Sequence, residues 1–252
     1  MGLLVTWEGS GRPPAPGDAV AVGAIFGTPF IGPCAAHGKV VFLDVRAGHV
    51  IVFQVEGERV EQVFCGNANV AAGAMAFLVQ GQVAVALGAT DGIAAVGLEM
   101  EVQPAGDCWH VESAWRVTPR ADDFSTGWDQ EQRPVARVDA LNQYEFSVGP
   151  KLEVPVKFDS CRRKGCRITP GPVPRLQVST CGRFHGALPQ TGAISLQMAR
   201  SAFPFIGEAV RGDTVEHPGG LERLPECRRN GRDYLAVMPA TMVEFAEPSL
   251  KG

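Results

Sequence analysis

The sequence predicts an α+β protein built from two similar halves, and three observations support this fold class. The 30 glycines and 19 prolines among 252 residues favour many turns, and therefore many strands. Short apolar runs bounded by such residues recur along the chain. Each half also contains one stretch in which small and apolar residues recur at helical spacing after a glycine-containing start. This repeated order of strands and one buried helix indicates an internal duplication.

The first half is predicted to span residues 1–120 and to contain strands on both sides of one helix. Its strands are expected at 18–26, 39–45, 50–55, 59–64, 82–87, 94–102 and 109–117. Between them, residues 70–78 change to helical spacing. Because this helix is apolar on all sides, we expect it to be enclosed by the surrounding strands.

The second half is predicted to span residues 121–252 and to repeat this order more loosely. The polar, turn-rich segment 119–134 is expected to be a boundary or linker. Further strands are predicted at 143–148, 152–158, 175–179, 208–216 and 233–244, with a small-residue helix at 194–203. The basic stretch after Cys161 is expected to be a surface loop.

Composition and charge narrow the classes of function. Hydrophobic residues make up 45% and charged residues 20% of the chain, as in ordinary globular proteins. A net charge of −4 gives no indication of nucleic-acid binding. No signal peptide is expected, because the first residues lack a basic start and a long apolar core. No membrane span is expected, because the uncharged stretches are interrupted by glycine, proline and amide residues. Seven irregularly spaced cysteines favour reduced thiols and a cytoplasmic location.

Cys65 is the main candidate for a reactive group because it directly precedes the predicted first helix. A thiol at the first turn faces unpaired backbone N–H groups and the positive end of the helix dipole. This environment can lower a cysteine pKa by one to several units from roughly 8.5. The same N–H groups can bind a carboxylate. The alternative is a structural cysteine that happens to precede a helix.

Several short motifs, taken in order, resemble the diaminopimelate epimerase fold. Cys65-Gly66-Asn67 is similar to the start of its first buried helix, Thr191-Gly192-Ala193 to its second, and residues 216–220 to a late His-Pro element. Residues 38–42 and 50–77 are most similar to the methylaconitate and methylitaconate isomerase-like group. The resemblance implies two domains, each a curved antiparallel sheet or barrel around a central helix, with the active site in the cleft between them.

The resemblance also implies a chemistry, which the departures from the family pattern modify. Where the epimerase has a second cysteine, this chain has Pro189, so racemisation by two thiols is not expected. One base suffices for an allylic 1,3-proton shift, and Cys65 suits that role. Lys39 matches the strand lysine of the isomerase group and is the second catalytic candidate, as an acid/base partner or a counterion. Asn69 replaces a more usual aliphatic or hydroxyl residue.

The predicted substrate is a small unsaturated mono- or dicarboxylic acid, and no cofactor is implied. Gly66, Asn67, Thr191 and Gly192 are the predicted substrate-binding residues at the two helix starts, and His185 is a candidate for the missing acid. Related isomerases act in antibiotic biosynthesis, which suggests a specialised role. We expect a monomer or homodimer that binds neither nucleic acid nor membranes.

Two other classes of function remain open. The missing second cysteine also fits a binding protein or pseudoenzyme without chemistry. Alternatively, Cys65 is a covalent nucleophile in acyl transfer, which requires a histidine such as His185 or His217 within reach. The spacing of Cys161 and Cys166 does not match a zinc site, so no metal is predicted.

Overall fold

The computed structural model describes residues 3–7, 14–26, 38–44, 49–56, 59–80, 84–87, 95–129 and 131–245. The chain forms two compact units. The first comprises Met1–Thr90, Ala95–Arg116 and Met238–Gly252, and the second comprises Asp91–Ala94 and Val117–Val237. The predicted halves, 1–120 and 121–252, differ from these units mainly in the last residues, which belong to the first unit.

The first unit contains two helices and two groups of strands. In chain order the elements are β1 (Leu3–Trp7), α1 (Pro16–Phe26), β2 (Gly38–Asp44), β3 (His49–Glu56), β4 (Arg59–Gln62), α2 (Gly66–Gln80), β5 (Ala84–Leu87), β6 (Ala95–Ala105) and β7 (Cys108–Thr118). One sheet has the order β1-β2-β3-β4, with a parallel β1–β2 pair and antiparallel pairs after it. In the other group, β5 pairs antiparallel with β6, and β7 follows.

The two faces of the β1–β4 sheet are both buried. On one face, Ala19 of α1 packs with Val40, Phe42 and Phe53. Because side chains alternate along a strand, Val41 on β2 points to the opposite face, where it is also buried. Since α2 contacts both β2 and β3, we infer that α2 covers this second face. The helix α2 is thereby fixed against the sheet.

The prediction of a strand at residues 18–26 is wrong, because this segment forms α1. Pro16 occupies the first helical position, where its fixed φ and missing N–H are tolerated. The Asp18 carboxylate accepts a hydrogen bond from the Ala15 N–H at 2.7 Å, which caps the helix start. A uniformly apolar run has no periodicity, so these two capping signals were the only local evidence for a helix.

The second unit contains one large sheet and two helices. After a 3₁₀ helix at Ala121–Asp123, its elements are β8 (Phe124–Trp128), β9 (Pro134–Val138), β10 (Gln143–Val148), β11 (Arg163–Thr169), β12 (Arg175–Thr180), β13 (Arg183–Phe184), α3 (Gln190–Ala202), α4 (Pro204–Ala209), β14 (Thr214–His217), β15 (Gly220–Arg223), β16 (Glu226–Asn230) and β17 (Asp233–Val243). The sheet order is β15-β14-β12-β11-β10-β9-β8, with β13 beside β12. The β10–β11 and β12–β14 pairs are parallel, and α3 contacts β9 and β10.

Four predictions for the second half are wrong. The expected linker at 119–134 contains the 3₁₀ helix and β8, and the expected loop after Cys161 is the central strand β11. Residues 208–216 divide between the end of α4 and the start of β14. Residues 152–158 are not a strand; instead, the Gln177 amide binds the backbone N–H and carbonyl of Leu152 at 2.8 and 3.2 Å. This side-chain pairing replaces a ladder of backbone hydrogen bonds.

The predicted α+β class is confirmed by these elements. In the described residues the sheets are open and are not closed into barrels, and parallel pairs accompany the expected antiparallel ones. Among the described helices, none has the length and apolar character needed to cross a membrane.

Candidate functional site

Cys65 lies at the start of α2, as the sequence predicted. The Asn69 N–H donates to the Cys65 carbonyl oxygen at 2.9 Å, which is the first backbone hydrogen bond of the helix and makes Cys65 its N-cap. Cys65 is half-buried, Gly66 is buried and Asn67 is exposed. The first turn of α2 carries no acidic side chain. The helix itself therefore supplies no negative charge to offset its positive end.

Asn69 is a buried polar residue one helical turn after Cys65. It is only 2% exposed, and within the described part of the chain its Nδ2 has no hydrogen-bond partner. Because side chains in a helix lean toward its N-terminus, we expect the Asn69 amide to lie over the turn that begins at Cys65. Leaving a buried donor unpaired costs about 1–3 kcal/mol. The sequence alone marked Asn69 as a departure from the motifs that it resembles, but its burial depends on the packing of α2.

Lys39 lies on the face of the β1–β4 sheet that we assign to α2. It pairs with Gln54 on β3, and Gln54 pairs with Glu61 on β4, so the three side chains form a polar row across the sheet. Beyond Glu61, the Val63 N–H donates to the Val52 carbonyl oxygen at 2.9 Å. Val52 lies two residues along β3 from Gln54, a distance of roughly 7 Å. The chain thus moves away from Lys39 as it approaches Cys65.

The start of α3 is built around Thr191, Gly192 and Tyr144. The Tyr144 and Thr191 hydroxyl oxygens are hydrogen-bonded at 2.8 Å, and all three residues are buried. A Cβ on Gly192 would lie 3.1 Å from Tyr144 Cε1, so the glycine permits the close approach of helix and ring. Pro189 is the N-cap and provides no side-chain hydrogen bond. Tyr144 was missed from the sequence, where it was one residue of a predicted strand.

His185 and His217 lie in two turns that touch each other in the second unit. His185 Nδ1 lies 2.5 Å from the Ala187 carbonyl oxygen. A Cβ on Gly219 would lie 2.9 Å from the Gly186 carbonyl oxygen, which shows how closely the turns approach. The Gly219 N–H donates to His217 Nδ1 at 2.9 Å, and His217 Nε2 lies 2.9 Å from Glu222 Oε2. Because both ring nitrogens have partners, His217 holds the β14–β15 turn.

Two other cysteines of the described chain are buried, and burial raises the pKa of two thiols. Cys161 and Cys166 are buried, and burial raises the pKa of the Cys166 thiol to about 12. Burial also raises the pKa of Cys227 to about 11. Both groups are therefore thiols at neutral pH. Within the ranges that the structure describes, no group of three or more His, Cys, Asp or Glu residues is arranged to hold a metal ion.

The predicted site residues are divided between the two units. Lys39, Cys65, Gly66 and Asn67 belong to the first unit, and His185, Thr191 and Gly192 belong to the second.

Comparisons with known proteins give no family assignment. No protein-family model matches the sequence, and no curated protein matches it. A protein from Clostridium difficile (strain 630), provisionally named as a phenazine biosynthesis PhzC/PhzF protein, is 9% identical with a TM-score of 0.43, covering 98% of this chain and 92% of that one. A predicted epimerase from Pseudomonas aeruginosa is 12% identical with a TM-score of 0.46, covering 96% and 93%. At these values neither likeness assigns an activity to this chain.

Proposed function

We propose that this protein is a cofactor-independent isomerase that moves a double bond in a small unsaturated mono- or dicarboxylic acid by a 1,3-proton shift. Cys65 is the acid/base group. The observation that carries the proposal is the half-buried Cys65 thiol at the start of α2, with the buried Asn69 one turn away, whose Nδ2 is unpaired among the described residues. The thiol supplies a base, and the helix start together with the amide supplies donors for an anion.

The reaction needs only groups that this arrangement contains. The Cys65 thiolate removes a proton from an allylic carbon, and the electron pair of that C–H bond moves into the conjugated system as a dienolate. Backbone N–H groups at Gly66 and Asn67 stabilise the negative charge on the carboxylate oxygens. The thiol then returns the proton to the carbon two positions away, which restores the thiolate and shifts the double bond.

The roles of the remaining predicted residues are part of the proposal. Lys39, on the side of the β1–β4 sheet that we assign to α2, is the counterion for a substrate carboxylate. Thr191 and Gly192 are proposed to bind substrate through the start of α3, and His185 to serve as an acid. These three assignments depend on the sequence motifs and on the half-buried or buried positions of the residues in the second unit.

Two measurements on the wild-type protein test the proposal. Native alkylation by iodoacetamide from about pH 5 to 10, mapped by mass spectrometry, is expected to give Cys65 an apparent pKa below roughly 8.5. Small unsaturated acids are then screened in deuterium oxide, and a substrate is recognised by solvent deuterium entering one of its carbons. Covalent acyl transfer would instead give a stable adduct on Cys65 without deuterium exchange.

The variants Cys65→Ala and Cys108→Ala separate the proposed base from other thiols. Cys108 is also half-buried but lies at the start of strand β7, so it is a matched control. We expect the rate of deuterium exchange to fall at least a hundredfold in Cys65→Ala, in line with the contribution of a general base. Cys108→Ala is expected to keep the wild-type rate. Deuterium exchange that persists in Cys65→Ala would exclude Cys65 as the base. If unsaturated acids protect Cys65 from alkylation in the wild type but none of them exchanges deuterium, the protein is a binding protein.

A further inference from the structure

We propose that Asn69 is a substrate-binding residue, and that its Nδ2 donates a hydrogen bond to a carboxylate or carbonyl oxygen of the molecule that reacts at Cys65. The inference rests on the proposed function and adds to it a side-chain donor that the family motifs do not contain. It defines the substrate further: an acceptor oxygen must lie close to the carbon whose proton is moved.

The position of Asn69 in α2 directs its amide toward the thiol. The Asn69 N–H donates to the Cys65 carbonyl oxygen, so the two residues are one helical turn apart. Residues four apart lie on the same face of a helix, with Cβ atoms roughly 5–6 Å from each other. The side chain of the later residue leans back over the earlier one. This spacing suits a thiol at the reacting carbon and an amide at the oxygen conjugated with it.

The surroundings of Asn69 favour a ligand over a structural role. The residues three and seven positions further along, which share its side of α2, are the buried Ala72 and Ala76. A structural asparagine in such a place is expected to have a hydrogen-bond partner, as more than nine in ten buried polar groups do. Asn69 Nδ2 has none among the described residues. Leucine has a higher helix propensity than asparagine. The asparagine therefore lowers the stability of the helix, as is typical of residues in functional sites.

The substitutions Asn69→Leu and Asn69→Asp test this inference. Leucine has a similar size and no donor, and aspartate keeps the shape but replaces the donor with an oxygen. The readout is the concentration of crotonate or mesaconate that halves the rate of iodoacetamide labelling of Cys65. We expect this concentration to rise at least tenfold in both variants, as for the loss of one hydrogen bond to a charged group. The urea midpoint of Asn69→Leu is expected to equal or exceed that of the wild type.

Thr169→Val is the matched control, because Thr169 Oγ1 is also buried and without a partner among the described residues, but lies on β11 of the second unit. It is expected to retain wild-type protection. If the acids protect Cys65 equally well in Asn69→Leu or Asn69→Asp, the proposed role of Asn69 is wrong, while the proposed function of Cys65 still stands. If the leucine variant does not fold, the aspartate variant provides this test. If neither acid protects Cys65 in the wild type, the proposed function fails, and the inference fails with it.

Discussion

At the scale of single residues, the contact between Tyr144 and Thr191 shows how one side chain positions another. Tyr144 is fully buried on β10, and its hydroxyl oxygen lies 2.8 Å from Thr191 Oγ1 at the start of α3. Its ring stacks on Phe146 with the centroids 5.8 Å apart. The tyrosine therefore fixes the first turn of α3 both by packing and by a hydrogen bond.

Tyr144→Phe is expected to lower the free energy of unfolding by about 1–2 kcal/mol, because Thr191 Oγ1 loses its buried partner while the ring packing remains. Urea denaturation measures this change. Tyr234→Phe is the matched control, since the Tyr234 ring lies 6.0 Å from the Arg229 guanidinium carbon and keeps that contact without its hydroxyl. Equal effects of the two substitutions would show that the Tyr144 hydroxyl does not hold α3.

At the scale of elements, the β14–β15 hairpin is held by a polar pair at the edge of its sheet. The His217 ring accepts the Gly219 N–H at Nδ1, so its proton is on Nε2 and is donated to Glu222. Burial raises the pKa of the Glu222 carboxyl, and the nearby His217 lowers it by a smaller amount. The hairpin is therefore expected to depend on pH through Glu222.

Glu222→Gln is expected to change the pH dependence of stability in a defined direction. The raised pKa means that the folded protein holds a proton on Glu222 at pH values where the unfolded chain, with a pKa of about 4.3, has lost it. Stability therefore falls as the pH rises through this window. Glutamine does not titrate, so the stability of the variant relative to the wild type should increase as the pH rises above about 4.3.

Urea midpoints at several pH values measure the effect of Glu222→Gln. Glu226→Gln is the control, because Glu226 is an exposed carboxylate paired with Arg228 on the surface. If the stability of Glu222→Gln relative to the wild type stays constant with pH, the half-buried Glu222 carboxyl does not contribute as proposed.

At the scale of the whole molecule, two strands belong to both compact units. β7 passes from the first unit to the second after Arg116, and β17 passes back after Val237. In the second unit, the Thr118 hydroxyl donates to Asp233 Oδ1 at 2.7 Å. Each unit is therefore assembled from separate parts of the chain. For this reason the boundary cannot be located from composition alone.

Global stability is expected to fall at alkaline pH because burial keeps Cys166 and Cys227 as thiols in the folded state. Their pKa values are raised to about 12 and about 11, whereas the unfolded thiols titrate near 8.5. The folded chain thus holds more protons as the pH rises from about 8.5 to 11, and stability declines. For Cys166 alone the loss by pH 10 is roughly 1–2 kcal/mol.

Urea denaturation of Cys166→Ala from pH 7 to 10 tests this expectation. The variant is expected to be less stable at every pH because it leaves a cavity, but its stability should decline less steeply with pH than that of the wild type. If the stability of Cys166→Ala declines with pH as steeply as that of the wild type, the Cys166 thiol is not the cause of the decline.

Local patterns were enough to predict much of the fold and one part of the candidate site. The helical spacing after Cys65 and the small residues after Thr191 predicted α2 and α3, and short apolar runs bounded by turn residues predicted β2, β3, β10 and β12. These signals act over a few residues, so they are visible in sequence. The same signals failed at α1, where a continuous apolar run suits either a strand or a helix.

The sequence by itself determined the α+β class, the two main helices and the position of Cys65 at a helix start, because capping and periodicity are local properties of the chain. Only the tertiary structure decided that Lys39 lies beside Gln54, that Tyr144 reaches Thr191, 47 residues away, and that Asn69 is buried with its Nδ2 unpaired among the described residues. Register, burial and pairing depend on residues that are distant in sequence. A single sequence contains no local signal for such contacts.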